Sequence, residues 1–515
     1  MIPFTLSVIT TAHLSVAFAP EHTGIGSERT KFNRALIRLA SAPEDTSKPS
    51  VYEYNGQCHR FNGEVFAKSN CWGRRPFLMR GAFDPGLLLD KNICGDDNSW
   101  PTWDDVVDIA SDDDSESRVI SHKPGDEESY ELLLGPLSES DVNEWVSKAS
   151  TSKSRERKTL VVNDVDRFYP RLADWIHNNF RFLPNWRMDD GQISLSEEMG
   201  GIGPHVDNYD VFLIQMTGTK LWQVGLEKLS AKDEMDRTVN GLDVRVLDRW
   251  GANTEFEDFT LNPGDLLYLP PRIAHSGTAL TTGCMTLSVG CRAPSVSDLI
   301  SRLAENLSSS IEENAVRRYV DEDLLDGDAG VFSPGLLTET SKHQARQLVL
   351  DSLLAMLGDD VWWDEFFGKY ATEQKRVRLN YPVPLGDVGF EESEAANDIF
   401  ANAEATIRSV LDGQAVLYHA EGITFAYSTL PKNEVNQTVH RLFTNGEMWQ
   451  SQSETSKTKN DCMGCLFQAV ANHRKLDSQL LLSCIGGDLQ CGRYLEAVKF
   501  LQELVTLGVL YAGES

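Results

Sequence analysis

Between Gly191 and Arg292 the apolar positions come in short runs or alternate with polar ones. Examples are Ile193-Ser194-Leu195-Ser196, Val211-Phe212-Leu213-Ile214-Gln215, Leu221-Trp222-Gln223-Val224 and Met285-Thr286-Leu287-Ser288-Val289. A period of two places successive side chains on opposite faces of a sheet, so these segments predict strands. Gly218-Thr219 joins two of them at hairpin distance, and Asn262-Pro263-Gly264-Asp265 separates Phe259-Thr260-Leu261 from Leu266-Leu267-Tyr268-Leu269. Short strands with turn signals between them predict a small β-barrel or double-sheet jelly roll. Upstream, Val165, Phe168, Leu172, Trp175 and Ile176 recur at helical spacing, which predicts one amphipathic helix from Asp164 to Phe180.

The first globular stretch begins near Val51, and Trp72 to Phe83 reads as a strand entering a tight turn. Asp112 to Asp114 and Lys123 to Glu128 are polar and turn-rich, so both are expected as solvent loops. Pro294 ends the β region, and Leu299, Leu303, Leu307 and Ile311 then form a row in four-residue steps along a helix. Further helical patterns run through Gln347–Leu357 and Val361–Tyr370. From about Pro382 the pattern mixes a helix (Ala395–Leu411), short strands (Ala415–Tyr418, Thr424–Tyr427) and a last helix (Tyr494–Leu507), as in a compact helix-and-wing unit. The expected division is a presequence over 1–50, a β domain over 51–293, a helical region over 294–381 and a mixed C-terminal domain over 382–515. The fold class is α+β, and no internal repeat is visible.

A chain of 515 residues is too long for one compact core, which agrees with about three domains. A formal net charge of −29 opposes binding through nucleic-acid phosphates and suits a basic protein partner. Nine scattered cysteines, an odd number, do not make a disulfide framework and point to a reducing compartment. Phe4 to Ala19 is a mostly apolar stretch of signal-peptide length, too short and too rich in Ser and Thr for a membrane span, so no membrane is expected for the mature form. Ser15 and Ala17 sit at −3 and −1 relative to Phe18, and Arg29, Lys31, Arg34 and Arg38 follow. Val16-Ala17-Phe18-Ala19-Pro20 resembles the bipartite plastid presequence of algae with secondary plastids. No Lys or Arg precedes the apolar stretch, so secretion, mitochondrion, nucleus and cytoplasm stand as rival destinations to the plastid.

The chemistry concentrates in His205-Val206-Asp207 and, far downstream, His275 in Pro270-Pro271-Arg272-Ile273-Ala274-His275. Two histidines and one carboxylate form the three-ligand face that holds non-haem Fe(II) and leaves positions open. On an extended strand His205 and Asp207 point to the same side, and His275 would come from a neighbouring strand after the di-proline. A histidine in a half-buried strand is more often a satisfied structural group, but this order of strand, turn, strand and Pro-Pro-x-x-x-His favours a metal site. Cys462, Cys465, Cys484 and Cys491 imitate a four-thiolate zinc set. Cys462 to His473 also reads as an amphipathic helix in which cysteine is a small apolar filler, and that reading is preferred.

Leu183-Pro184-Asn185-Trp186-Arg187-Met188-Asp189-Asp190, Gly203-Pro204-His205-Val206-Asp207-Asn208-Tyr209-Asp210, Pro263-Gly264-Asp265 through His275, and Ser288-Val289-Gly290-Cys291-Arg292-Ala293-Pro294 together resemble the ribosomal oxygenases. These are Jumonji-C-type hydroxylases that use Fe(II), 2-oxoglutarate and O2. The resemblance implies a double-stranded β-helix of the cupin class, a helical dimerisation region and a C-terminal winged helix. It implies His205, Asp207 and His275 as iron ligands. Lys220 matches the basic residue that faces the co-substrate's distal carboxylate, which is Arg in typical bacterial members and Lys in eukaryotic ones. Ser194 and Ser196 share a parity opposite to Ile193 and Leu195, so they either face the barrel interior and bind the co-substrate or lie on the surface. The bacterial branch, which looks closest, hydroxylates an arginine of a large-subunit ribosomal protein, and the eukaryotic branch hydroxylates histidines. A basic ribosomal protein as substrate and a homodimer are therefore expected. Direct DNA binding is not, since Glu391, Glu392, Glu394 and Glu404 open the C-terminal domain. The rival readings are a histone-lysine demethylase of the same fold and a cupin that binds a metal or ligand without turnover.

Overall fold

The computed structural model describes residues 50–55, 60–84, 101–123, 126–138, 140–141, 156–238, 246–247, 255–309, 318–320, 337–374, 394–432, 437–454, 462–485 and 492–513. The expected presequence up to residue 49 lies outside them, as do Ile311, Glu391, Glu392 and Cys491.

Twelve strands are described before Pro294. They are β1 (Tyr52–Glu53), β2 (Phe77–Met79), β3 (Ser117–Lys123), β4 (Asp126–Leu134), β5 (Arg157–Val162), β6 (Met188–Ser196), β7 (Asp210–Thr217), β8 (Lys220–Lys228), β9 (Phe256–Leu261), β10 (Leu266–Leu269), β11 (Ile273–Ala279) and β12 (Cys284–Cys291). A major sheet runs in the order β1-β2-β10-β7-β12-β6-β5-β3-β4, and a minor one in the order β11-β8-β9. The chain passes from β7 in the major sheet to β8 and β9 in the minor one, back to β10, across to β11 and back again to β12. This winding is a double-stranded β-helix.

The alternation of the sequence sorts directly into layers. Ile193, Leu195, Phe212, Ile214, Leu287 and Val289 lie on the outer face of the major sheet in a core with Phe61, Phe66 and Phe180. Val211, Leu213, Trp222, Val224, Leu267 and Leu269 fill the space between the two sheets. Gly218-Thr219 does not close the expected hairpin. β7 pairs with β10 and β12, whereas β8 pairs with β9 and β11. β7 is buried over nearly its whole length and needs a neighbour on each side, so the two-residue link carries the chain across the barrel. Gly218 has φ +66°, and a Cβ there would stand 2.8 Å from the Cα of Cys284, so this crossing requires glycine.

The helices before the C-terminal unit are α1 (Gly63–Ser69), α2 (Trp103–Ile109), α3 (Val165–Phe168), α4 (Pro170–Asn179), α5 (Ala231–Arg237), α6 (Val296–Ser309), α7 (Glu339–Leu357) and α8 (Asp360–Thr372). The single helix expected from Asp164 to Phe180 is broken into α3 and α4. Pro170 disfavours helical geometry at the residue before it, and Tyr169 adopts φ −124°, ψ 89°. The loop expected over Lys123 to Glu128 is largely a β3–β4 hairpin, because β4 begins at Asp126 on the sheet edge, where a polar strand is tolerated. Leu303, expected in an unpartnered apolar row, packs inside the chain against Met356 and Phe366. The apolar residues left exposed there include Val296, Ile300, Val349, Leu350, Leu354, Leu357 and Val361.

The C-terminal unit holds α9 (Glu394–Leu411), β13 (Val416–His419), β14 (Phe425–Lys432), β15 (Gln437–Thr444), β16 (Glu447–Glu454), α10 (Cys462–Asn472), β17 (Lys475–Leu476), α11 (Ser478–Ile485), α12 (Gly492–Thr506) and β18 (Leu510–Gly513). The small sheet β17-β13-β18 and the meander β14-β15-β16 surround a second core that includes Leu417, Phe425, Leu466, Val470, Leu481 and Phe500. Asn185 Nδ2 donates to Ala471 O at 2.6 Å, and Arg474 pairs with Asp174 at 2.9 Å, which ties this unit to the barrel's flank.

Candidate active site

His205 and His275 are brought together by the backbone itself. His205 N donates to His275 O at 3.0 Å and His275 N returns the bond to His205 O at 2.9 Å, which sets the ring centroids 4.2 Å apart. Arg272 N donates to Asp207 O at 2.8 Å, holding the carboxylate residue over the same end of β11. The H-x-D triplet therefore sits on an extended segment that is tied by isolated bridges, with β7 starting only at Asp210. Candidate ligand atoms of His205, Asp207 and His275 all lie within 4.8 Å of one another, and among the described residues they form the group that can hold a metal.

The imidazoles are oriented for coordination. His205 Nδ1 faces Gly203 O at 2.8 Å and His275 Nδ1 faces Ile273 O at 3.0 Å, so Nδ1–H donates to a carbonyl and each Nε2 presents its lone pair. His275 is 2% exposed. Burial first, and then the neighbouring His205, push its pKa down to about 4, so it is neutral at ordinary pH, the form a metal requires. Arg272 has φ +75° just before β11, where its guanidinium reaches Leu229 O at 2.8 Å, Asn208 Oδ1 at 3.0 Å and the carboxylate of Glu234. These bonds hold the left-handed turn that delivers the chain from the di-proline into β11. Two imidazoles and one carboxylate facing an open cavity fit Fe(II).

That cavity, of about 410 Å³, contains Lys220 in its wall. Lys220 is 1% exposed. Its Nζ lies 3.4 Å from both Ser194 Oγ and Thr286 Oγ1 and 5.0 Å over the Trp222 ring. None of these neighbours carries a negative charge, and burial lowers the lysine's pKa. Gly277 makes room for it, since a Cβ there would come within 2.8 Å of Lys220 Cε. Of the two serines read from strand parity, Ser194 lines the cavity. Ser196 is fully buried, accepts from Thr159 Oγ1 at 3.1 Å and does not line it. Strand parity picks the face, but Ser196 lies further along β6, against β5.

Arg118, Asp190 and Tyr209 also line the cavity, although the sequence reading gave none of them a role. Asp190 sits four residues before Ser194 on β6, so the same parity applied backwards would have found it. Burial first, then the charge of Asp166, push its carboxyl up to about 7, while Arg167 and Arg118 hold it down. Tyr209 hydrogen-bonds Asp207, and the charge of that carboxylate, followed by burial, raises the phenol's pKa. Arg118 Nε has no hydrogen-bond partner among the described residues. The cysteine set does not converge on a metal among the described residues. Cys462 is core filler beside Leu466, whereas Cys465 is exposed.

Residues 175–299 match the JmjC domain, which defines the class as a JmjC-type double-stranded β-helix with a two-histidine, one-aspartate centre. The chain is 34% identical over 234 residues to the ribosomal protein uL16 3-hydroxylase of Escherichia coli, covering 45% of this chain and 54% of that one. It is 29% identical over 249 residues to the probable ribosomal oxygenase of Haemophilus influenzae, covering 47% and 52%. The chain thus spans about half the length of the curated relatives it matches. An E. coli YcfD crystal structure superposes with a TM-score of 0.60 at 25% identity, over 88% of this chain and 98% of that one. YcfD with cobalt and 2-oxoglutarate shares the fold at a TM-score of 0.58 and 24% identity, over 87% and 98%. The chain thus carries a JmjC domain and is similar to ribosomal oxygenases over about half of their length.

Proposed function

We propose that this protein is an Fe(II)- and 2-oxoglutarate-dependent oxygenase that hydroxylates a side chain, preferentially an arginine, of a ribosomal protein. The observation that carries the reading is Lys220, a buried cation in the wall of the cavity that the triad opens into, with two hydroxyls and an indole ring as its near neighbours. A buried cation of this kind is costly unless an anion joins it, and the distal carboxylate of 2-oxoglutarate supplies one. A passive metal store would need no such cation. His205, Asp207 and His275 would hold the iron, which when bound couples decarboxylation of 2-oxoglutarate to insertion of oxygen into a C–H bond. Lys220, with Ser194 and Thr286, orients the co-substrate, and Tyr209 keeps the Asp207 carboxylate in place.

Asp190 favours arginine, because a carboxylate facing the cavity matches a guanidinium. The relative named as a uL16 3-hydroxylase supports a ribosomal target. A net charge of −29 draws a basic ribosomal protein to this chain. Histidine stands as the second reading, because the cation is lysine rather than arginine. The test is to incubate the iron-loaded protein with 2-oxoglutarate and recombinant basic ribosomal proteins and to map by mass spectrometry any residue that gains one oxygen atom. Co-substrate turnover that never responds to such a protein would remove the reading.

Three further points belong to the same proposal. The exposed apolar residues of α6 and α7 support a homodimer, with Val296 at 74% and Ile300 at 59% exposure. The C-terminal helices and meander support a winged-helix-like unit that contacts protein. The presequence motif supports plastid import. A fluorescent fusion of residues 1–50 that stays in the cytosol or nucleus would reject import and leave the chemistry untouched.

A further inference from the structure

On α10 the buried row of Cys462, Leu466 and Val470 faces the C-terminal core, while Cys465 lies at the edge of that row and is exposed. The filler reading that suits Cys462 therefore does not cover Cys465. On the neighbouring helix α11, Cys484 is buried, and its Sγ lies 2.6 Å from that of Cys465. The two helices pack against each other and share one core with Leu466, Val470, Leu481 and Ile485, which sets the pair's separation before any covalent bond exists. Small rotamer adjustments suffice to reach an S–S bond of about 2.05 Å.

We propose that Cys465 and Cys484 form a redox-responsive dithiol, a modification site that a small disulfide oxidant of the glutathione type converts into a crosslink between α10 and α11. The two thiols differ in a way that orders the steps. Cys465 is open to solvent, and its thiolate attacks one sulfur of the oxidant, forming a mixed disulfide and expelling one thiolate. Cys484, whose thiol is pushed up first by burial and then by its hydrogen bond with Cys465, resolves the intermediate. Its sulfur attacks the Cys465 sulfur, the S–S bond forms, and the second thiolate leaves. The protein gives up two protons and two electrons, and the oxidant departs as two thiols.

The bond would lie in the helix that meets the barrel. Ala471 O at the end of α10 accepts from Asn185, and Arg474 just beyond it pairs with Asp174. Joining α10 to α11 restricts how far this contact can open when the C-terminal unit loosens, so oxidation is read out as resistance to heat.

The full-length protein, reduced and desalted, is titrated with oxidised glutathione and digested with trypsin without reduction. Cleavage after Arg474 and Lys475 separates the helices, so the crosslink joins one peptide with Cys462 and Cys465 to another with Cys484 and Cys491. Fragment ions are expected to place the bond between Cys465 and Cys484, and dithiothreitol to reverse it. The oxidised protein should melt several degrees above the reduced one. Cys465→Ser, a change on an exposed face, should keep the reduced melting temperature and lose both the crosslink and the shift. Glutathione adducts on Cys465 without a crosslink would overturn the proposal. A bond to Cys462 or Cys491, or stoichiometric zinc retained by these thiols, would overturn it equally.

Discussion

Among the described residues the near neighbours of the Lys220 ammonium are two hydroxyls and an indole ring, an arrangement that destabilises the protein until an anion arrives. Lys220→Met is therefore expected to raise the melting temperature of the ligand-free protein and to abolish the thermal stabilisation that 2-oxoglutarate gives the wild type. Lys220→Ala should weaken co-substrate binding by about 2–5 kcal/mol, as for other truncated charge pairs. A stabilisation by 2-oxoglutarate that survives in Lys220→Met would place the anion elsewhere. His205→Ala, Asp207→Ala and His275→Ala should each abolish succinate formation while circular dichroism stays that of the wild type, since each removes one of three ligands. Full activity in any one of them would overturn the triad. Asp190, with its pKa near 7, adds a pH signature. Its charged form binds a cationic side chain and accumulates as pH rises, so KM for the protein substrate should fall as pH rises through about 7. Asp190→Asn should raise KM and flatten this profile, with KM for 2-oxoglutarate unchanged. A wild-type KM that is flat across that range would take Asp190 out of substrate recognition.

At the scale of elements, His419 of β13 is buried against α10, and His177 of α4 is half-buried close by. His419 Nε2 donates to Val470 O at 2.8 Å, and its ring lies tilted against Phe425 with centroids 4.4 Å apart. Burial first, then the Arg474 charge, push its pKa down to about 3, and similar causes take His177 down to about 4. The folded state therefore binds fewer protons than the unfolded chain below the ordinary value of 6.5. The stabilisation is complete above that value and is lost as pH falls toward the folded pKa. The C-terminal unit should accordingly lose stability as pH falls below 6.5, and His419→Gln, though less stable at neutral pH, should show a shallower dependence. Hydrogen exchange resolved by segment reads both, and equal slopes in the two proteins would assign the acid sensitivity elsewhere. These same elements mark the limit of legibility. The strands carrying Ile193, Phe212 and Leu287 were readable because alternation alone selects their faces. β15 and β16, as in Gln437-Thr438-Val439-His440 and Trp449-Gln450-Ser451, carry too few apolar residues for that signal, and only their pairing makes them strands.

For the molecule as a whole, charge and exposed apolar surface point to different partners. The net charge of −29 is suited to steering a basic substrate. Its association should weaken as salt is added, because such attraction is screened within about 10 Å at 0.1 M. The apolar residues on α6 and α7 instead suit a second copy of the chain, since Val349, Leu350 and Leu354 are each exposed by 43% or more while Leu303 is occupied internally. Light scattering is expected to give twice the 57.5 kDa chain mass, and Ile300→Glu with Leu354→Glu to give the monomer. A monomer mass for the wild type across micromolar concentrations would reject the dimer.

The identities of His205, Asp207 and His275 as one metal-binding set were legible from residue type and order, because few side-chain sets bind iron with positions left open. The strand faces around them were legible because a two-residue period has one geometric meaning. The sheet to which each strand belongs was not. Gly218-Thr219 has the length of a hairpin loop, yet it crosses the barrel, since pairing depends on which distant strands need neighbours. Tertiary structure alone also showed the burial of Lys220, which the sequence had marked by resemblance, and drew Asp190 into its cavity. Burial and opposing charge are properties of surroundings that residues distant in the chain supply, and a linear pattern does not carry them.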